Sequence, residues 1–131
     1  MNTSLHSFLK KAEGITGQAK VHNGYIYLIH FDQPIAKGHQ ARHYLGFSKD
    51  IAIRIQAHWS GRGANLTKVA NERGISYRIV RAWKGTRNDE RRLKNQKNTP
   101  RLCPCCNEAP QNPTWLPALS NDELQSTLLP F

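Results

Sequence analysis

The segment Tyr25-Ile26-Tyr27-Leu28-Ile29-His30-Phe31 places the strongest constraint on how this chain can fold. It is dense in β-branched and aromatic residues, which suit a pleated, packed surface, and an Asn-Gly pair just ahead of it supplies a turn signal. It therefore reads as a strand. No apolar run in the chain approaches the roughly 18 residues needed to cross a bilayer, so the strand requires partners within the protein. His43-Tyr44-Leu45-Gly46-Phe47 supplies one, short and antiparallel, across a loop holding Pro34 and Gly38. Residues 75–83 supply another, with Tyr77, Ile79 and Arg81 expected on one face and Arg78, Val80 and Ala82 on the other.

Helical segments fall between and around these strands. In residues 50–59, Ile51, Ile53 and Ile55 alternate as in a strand, but Ile51, Ile55 and Trp59 also form an i, i+4, i+8 stripe. Ser48 or Asp50 in capping position favours the helix. Residues 65–73 read as a second helix, capped by Asn65 and stopped by Gly74. A charged helix opens at Thr86 or Asn88 and runs to about Gln96. Leu5, Phe8 and Leu9 suggest a short helix over residues 4–13, and Leu124 and Leu128 suggest another behind a Ser120/Asn121 cap. The pattern predicts an α/β fold: a small three-stranded antiparallel sheet flanked by helices. Its expected organisation is an N-terminal helix and connector (1–23), a central domain (24–101) and a Pro-rich tail (102–131). Little periodicity marks the tail, so truncation beyond Asn107 is expected to leave the core folded.

Charge is distributed unevenly along this plan. All 19 Lys and Arg lie between Lys10 and Arg101, with six of the nine acids; the remaining acids, Glu108, Asp122 and Glu123, stand in a tail without basic residues. A concentrated positive field attracts a polyanion, and counterion release makes nucleic acid the natural partner. No secretory signal or membrane span is evident, which makes a cytoplasmic location the expectation. Cys103, Cys105 and Cys106 are too few and too close for a disulfide framework. A four-ligand zinc site calls for two separated ligand pairs, and the chain has no second Cys pair. Free, reduced thiols are the expected state, and zinc shared with a distant His or with a second chain is the alternative.

Particular polar residues stand at the ends of these elements. Tyr25-Ile26-Tyr27 opens the first strand, Tyr44-Leu45-Gly46 lies in the second, Arg54 and His58 follow on the first helix, and Glu90-Arg91-Arg92-Leu93-Lys94 occupies the charged helix. In this order and spacing, the set resembles the GIY-YIG nuclease superfamily over residues 24–101. Tyr25 stands where that family usually has Gly, Asn95 and Asn98 are both candidates for an Asn that often follows its Glu helix, and the Cys-rich tail lies outside its general pattern. The resemblance implies a metal-dependent endonuclease that hydrolyses DNA phosphodiesters, with Mg²⁺ or Mn²⁺ held by Glu90. It implies Tyr27 as the base or water-positioner and Tyr44 as a phosphate ligand.

The same residues suit that chemistry on independent grounds. Attack on a phosphodiester adds charge to its non-bridging oxygens, and the permanently charged guanidinium of Arg54 can bind them in pairs. Glu90 is the natural cation ligand where acids are scarce, although an i, i+4 pair with Lys94 is the plainer reading. A phenol near pKa 10 is a weak base at neutral pH unless the cation or Arg54 lowers it, and Tyr27 and Tyr44 also read simply as core residues of a sheet. His58, one turn beyond Arg54, is a candidate to share a proton or bind phosphate, or else a surface residue. Lys49, Arg62, Lys68, Arg91 and Arg92 are candidates for holding the nucleic-acid backbone. The leading expectation is a DNA endonuclease. The alternatives are a non-catalytic nucleic-acid-binding module of the same fold and a basic protein that binds another partner. RNA is the alternative nucleic-acid substrate.

Overall fold

The computed structural model describes residues 23–35 and 42–128. The helix expected over residues 4–13, most of the connector after it and part of the loop before His43 lie outside the described residues. Three strands, β1 (Gly24–Phe31), β2 (His43–Ser48) and β3 (Tyr77–Gly85), form an antiparallel sheet in the order β2-β1-β3. Among the described residues, four α-helices accompany them: α1 (Ile51–Trp59), α2 (Asn65–Arg73), α3 (Arg87–Asn95) and α4 (Asn121–Leu128). A 3₁₀ turn covers Thr99–Leu102. This is the small α/β architecture expected from the sequence. None of the described helices is long and apolar enough to cross a membrane.

β1 is buried along almost its whole length, and apolar or aromatic except at His30, because it is central and covered on both faces. Tyr27, Ile29 and Phe31 join Ile51 and Ile55 of α1, Ala70 of α2 and Leu124 of α4 in one core. Ile26 and Leu28 point the other way, into a core with Leu45, Trp83, Leu93 of α3, Leu102, Cys103 and Leu116. On β3 the alternation breaks. Leu28 pairs with Arg81 and Ile29 with Ile79, leaving Val80 as an extra residue. This bulge reverses the facing of the residues beyond it. Tyr77, Ile79 and Ala82 share one core, while Arg81 stacks over Trp83, a residue of the other. The strict alternation expected for residues 77–82 is corrected accordingly.

Local signals fix the helix ends. Asp50 caps α1 by accepting the Ile53 N–H, and Ile51 and Ile55 are buried as the stripe requires. Trp59 departs from that stripe and is 51% exposed. The N-cap of α2 is Ala64, with no side-chain cap, so Asn65 is the first helical residue and not its cap. Gly74 ends α2 at φ +69°, a left-handed conformation that costs glycine little. Thr86 and Asp89 satisfy each other's backbone N–H groups in a capping box that opens α3, an arrangement worth about 1 kcal/mol.

The C-terminal segment is integral to the structure. Leu116 is fully buried and Leu124 is 4% exposed. The Leu119 N–H donates to the Ala82 carbonyl, and Arg81 donates to the carbonyls of Leu102 and Gln111 and to Asn112 Oδ1. The expectation that truncation beyond Asn107 leaves the core intact is therefore revised, because both cores lose buried side chains with it.

Candidate active site

A cleft of about 670 Å³ opens beside the edge strand β2. Tyr44, Gly46 and Phe47 of β2 line it, with Ser48 and Lys49 beyond; Arg54 comes from α1, and Arg87, Glu90, Arg91 and Lys94 come from α3. The four α3 residues lie at i, i+3, i+4 and i+7, which sets them on one helical face. Leu93 points instead into the core. The amphipathic character of α3 thus places one acid among three cations on the wall of the cleft. Lys49 and Arg54 add two more positive groups.

Glu90 is 7% exposed, and its Oε2 pairs with Lys94 Nζ at 3.0 Å. The same ammonium lies 5.7 Å from the centre of the Tyr44 ring. Arg54 is held from behind: its Nε–H donates to the Tyr27 hydroxyl oxygen at 3.3 Å. This contact raises the Arg54 pKa further, so the guanidinium is charged at every accessible pH.

Tyr27 and His58 form a buried layer beneath the cleft. Both are fully buried, and Tyr27 Oη lies 2.8 Å from His58 Nε2. His58 Nδ1 lies 2.7 Å from Thr67 Oγ1, and that hydroxyl donates to the Ala64 carbonyl. The Ala64 N–H also donates to Nδ1, at 3.3 Å, and the tautomer decides which ring nitrogen donates. Burial, reinforced by the Arg54 charge, holds the His58 pKa down to about 4, so the imidazole is neutral at pH 7. Burial also pushes Tyr27 up to about 12, outweighing the opposing hydrogen bond from Arg54. Gly46 permits this stacking, since a Cβ there would lie 2.5 Å from the Tyr27 hydroxyl and 2.8 Å from Tyr44 Cε2.

Tyr44, Arg54 and Glu90 thus meet on one cleft, with Tyr27 and His58 directly behind. His58 is not the surface or phosphate-binding residue considered from the sequence. It is enclosed between Tyr27 and Thr67, a contact that no local sequence signal announces. Tyr27 is likewise too buried to line the cleft. Comparison with family models, curated proteins and solved structures finds no match. The resemblance in the sequence therefore rests on its own motifs.

The other expected backbone-binding residues divide. Lys49 and Arg91 line the cleft, Arg62 and Lys68 are exposed away from its lining, and Arg92 stacks 3.9 Å over the Trp115 ring. Arg87 and Lys94 join the lining without having been expected as binding residues, although their helical spacing from Glu90 and Arg91 was the available signal. Tyr25 lies with Lys84, Leu119 and Glu123 at a separate depression beside α4, so its bulk does not enter the cleft.

A second constellation lies elsewhere. His30, His43, Cys103 and Cys106 bring four donor atoms within 4.8 Å of one another, a group able to hold a metal ion. The three cysteines carry no disulfide. The second ligand pair missing from the sequence pattern is supplied by histidines on neighbouring strands.

Proposed function

We propose that this chain is a metal-dependent endonuclease domain that cleaves DNA phosphodiesters, in the manner of the GIY-YIG nucleases that its motifs resemble. The observation that carries the reading is the meeting of Tyr44, Arg54 and Glu90 on one cleft walled by Lys49, Arg87, Arg91 and Lys94. The three-stranded antiparallel sheet with its helices is compatible with that family. Such a cleft concentrates a phosphate backbone by charge and offers fixed donors to a pentavalent phosphorus centre.

Mg²⁺ and Mn²⁺ ordinarily take one or two carboxylates and complete their shells with water and substrate phosphate, so a single buried carboxylate on the cleft wall fits such an ion. Glu90 would hold it, and the ion would polarise the phosphate and favour departure of the leaving oxygen. Arg54, anchored by Tyr27, presents its remaining N–H groups to the non-bridging oxygens. Tyr44 orients the phosphate or the attacking water from the β2 side. Tyr27 and His58 act through Arg54 as positioning residues, a change from the base role that the resemblance implies for Tyr27. Their burial and the high Tyr27 pKa support this assignment.

The second reading is a nucleic-acid-binding module without cleavage. The Lys94–Glu90 ion pair favours it, because it already neutralises the carboxylate. Incubating supercoiled and branched DNA with the protein in Mg²⁺, Mn²⁺ or EDTA separates the two. Cation-dependent nicking supports the nuclease. Salt-sensitive binding without nicking under every condition supports the module.

A further inference from the structure

The His/Cys group lies on the opposite face of the sheet from the Tyr27 layer and plays no part in the proposed cleavage. His30 and His43 are directly paired across β1 and β2. Cys103-Pro104-Cys105-Cys106 follows the 3₁₀ turn and curls tightly: the Cys106 N–H donates to the Cys103 carbonyl, and the Cys105 N–H points at Cys103 Sγ from 3.3 Å. Cys105 turns away, with its Sγ 3.2 Å from Arg78 Nη2, so the three cysteines sort into two ligands and one bystander.

The spacings between donors are those of a coordination shell. His30 Nδ1 to His43 Nε2 is 3.4 Å, Cys103 Sγ to His30 Nδ1 is 3.5 Å, and Cys106 Sγ lies 3.5 Å from His43 Nε2 and 3.8 Å from His30 Nδ1. A tetrahedral zinc ion with ordinary bond lengths requires about 3.3 Å between two nitrogens and about 3.6 Å between nitrogen and sulfur. Two imidazoles and two thiols are also the donor set zinc prefers, whereas Mg²⁺ and Mn²⁺ prefer oxygen.

We propose that His30, His43, Cys103 and Cys106 form a tetrahedral zinc site that fastens the C-terminal segment to the sheet. Four protein ligands leave no open position for substrate, so the ion is structural. Its ligands join β1, the edge strand β2 and the segment that carries Leu102 and Leu116 into the core. This role is separate from the cation assigned to Glu90, which takes oxygen ligands.

Tag-free full-length protein, stripped by chelator under reducing conditions and then titrated with Zn²⁺ alone, tests the site. One zinc per chain is expected by elemental analysis. Co²⁺ in its place should give the intense visible bands of tetrahedral cobalt bound to thiolate. Chelation should lower Tm by roughly 10 °C or more, and returning Zn²⁺ should restore it. Cys105→Ser should retain the metal, whereas Cys106→Ser and His43→Ala should lose stoichiometric binding. The wild-type cobalt spectrum keeps the test independent of how the variants fold. Absence of stoichiometric zinc, a different stoichiometric metal, an octahedral cobalt spectrum, or equal loss in Cys105→Ser would each overturn the proposal. Loss of zinc without loss of cleavage would leave the nuclease reading untouched, and retention of zinc without cleavage would leave this one untouched.

Discussion

Burying a neutral histidine beneath a basic cleft makes the fold sensitive to mild acid, in a window its environment defines. His58 has its pKa lowered from 6.5 to about 4, by burial first and the Arg54 charge second. Above pH 6.5 it is neutral whether the chain is folded or unfolded. Below that, the unfolded chain takes up a proton that the folded chain refuses, so stability falls as pH falls toward 4. Each pH unit in the window costs about 1.4 kcal/mol, and the whole passage costs about 3 kcal/mol. His58→Gln removes the titration while leaving an amide able to hydrogen-bond with Tyr27 and Thr67. Urea unfolding of both proteins between pH 7 and pH 4 should show the wild type losing about 3 kcal/mol more than the variant. The difference between the two is the quantity of interest, because acid also protonates other groups, His30 and His43 among them, in both. Parallel pH profiles would refute the reasoning, whatever constant offset separates them.

Glu90→Gln keeps size and hydrogen bonding but removes the charge assigned to the cation; cleavage should fall by orders of magnitude while DNA binding holds or tightens. Wild-type nicking rates in Mg²⁺ would discard the metal assignment. Arg54→Ala should also stop nicking, and binding measured across salt concentrations should weaken with a shallower salt slope. Truncation after Asn107 removes Leu116 and Leu124, whose burial alone is worth about 3–6 kcal/mol, so cooperative thermal unfolding should be lost or strongly shifted. An unchanged melting curve would show that the segment only rests on the domain. Gly46→Ala forces the Tyr27 hydroxyl or the Tyr44 ring aside and should cost about 1–3 kcal/mol, with a larger proportional loss of cleavage than of binding.

The range of each interaction decides how legible it was in the sequence. Strands, helices and most caps are set by neighbours within a few residues, and they appear where the pattern puts them; the Asp50 cap and the Thr86 start of α3 are examples. The meeting of Tyr44, Arg54 and Glu90 was legible only through a resemblance of motifs, since nothing local brings three elements to one cleft. Where a single residue altered the period, local reading failed. Val80 has the composition of an ordinary strand residue, and its bulge became visible only through the partners of Leu28 and Ile29. Burial of His58 depends on a hydroxyl nine positions away on the next helix, and Leu116 is core only because a proline-rich segment folds back over β3.

The metal-ligand group shows the limit most clearly. A ligand pattern is readable when both pairs sit in short turns, because spacing along the chain then stands for spacing in the structure. Here one pair does, at Cys103 and Cys106. The other is built by strand register: His30 and His43 are 13 residues apart, and they face each other because the ladder that pairs Tyr27 with Gly46 also pairs them. A slip of one residue in that register would turn one of the two histidines to the other face of the sheet and also break the contact between Gly46 and Tyr27. The alignment that places the histidines for the cysteine knuckle is therefore the alignment that seats Tyr27 beneath the cleft. The Tyr27 layer and the histidine–cysteine group lie on opposite faces of the sheet, but a single pairing of β1 with β2 sets the geometry of both.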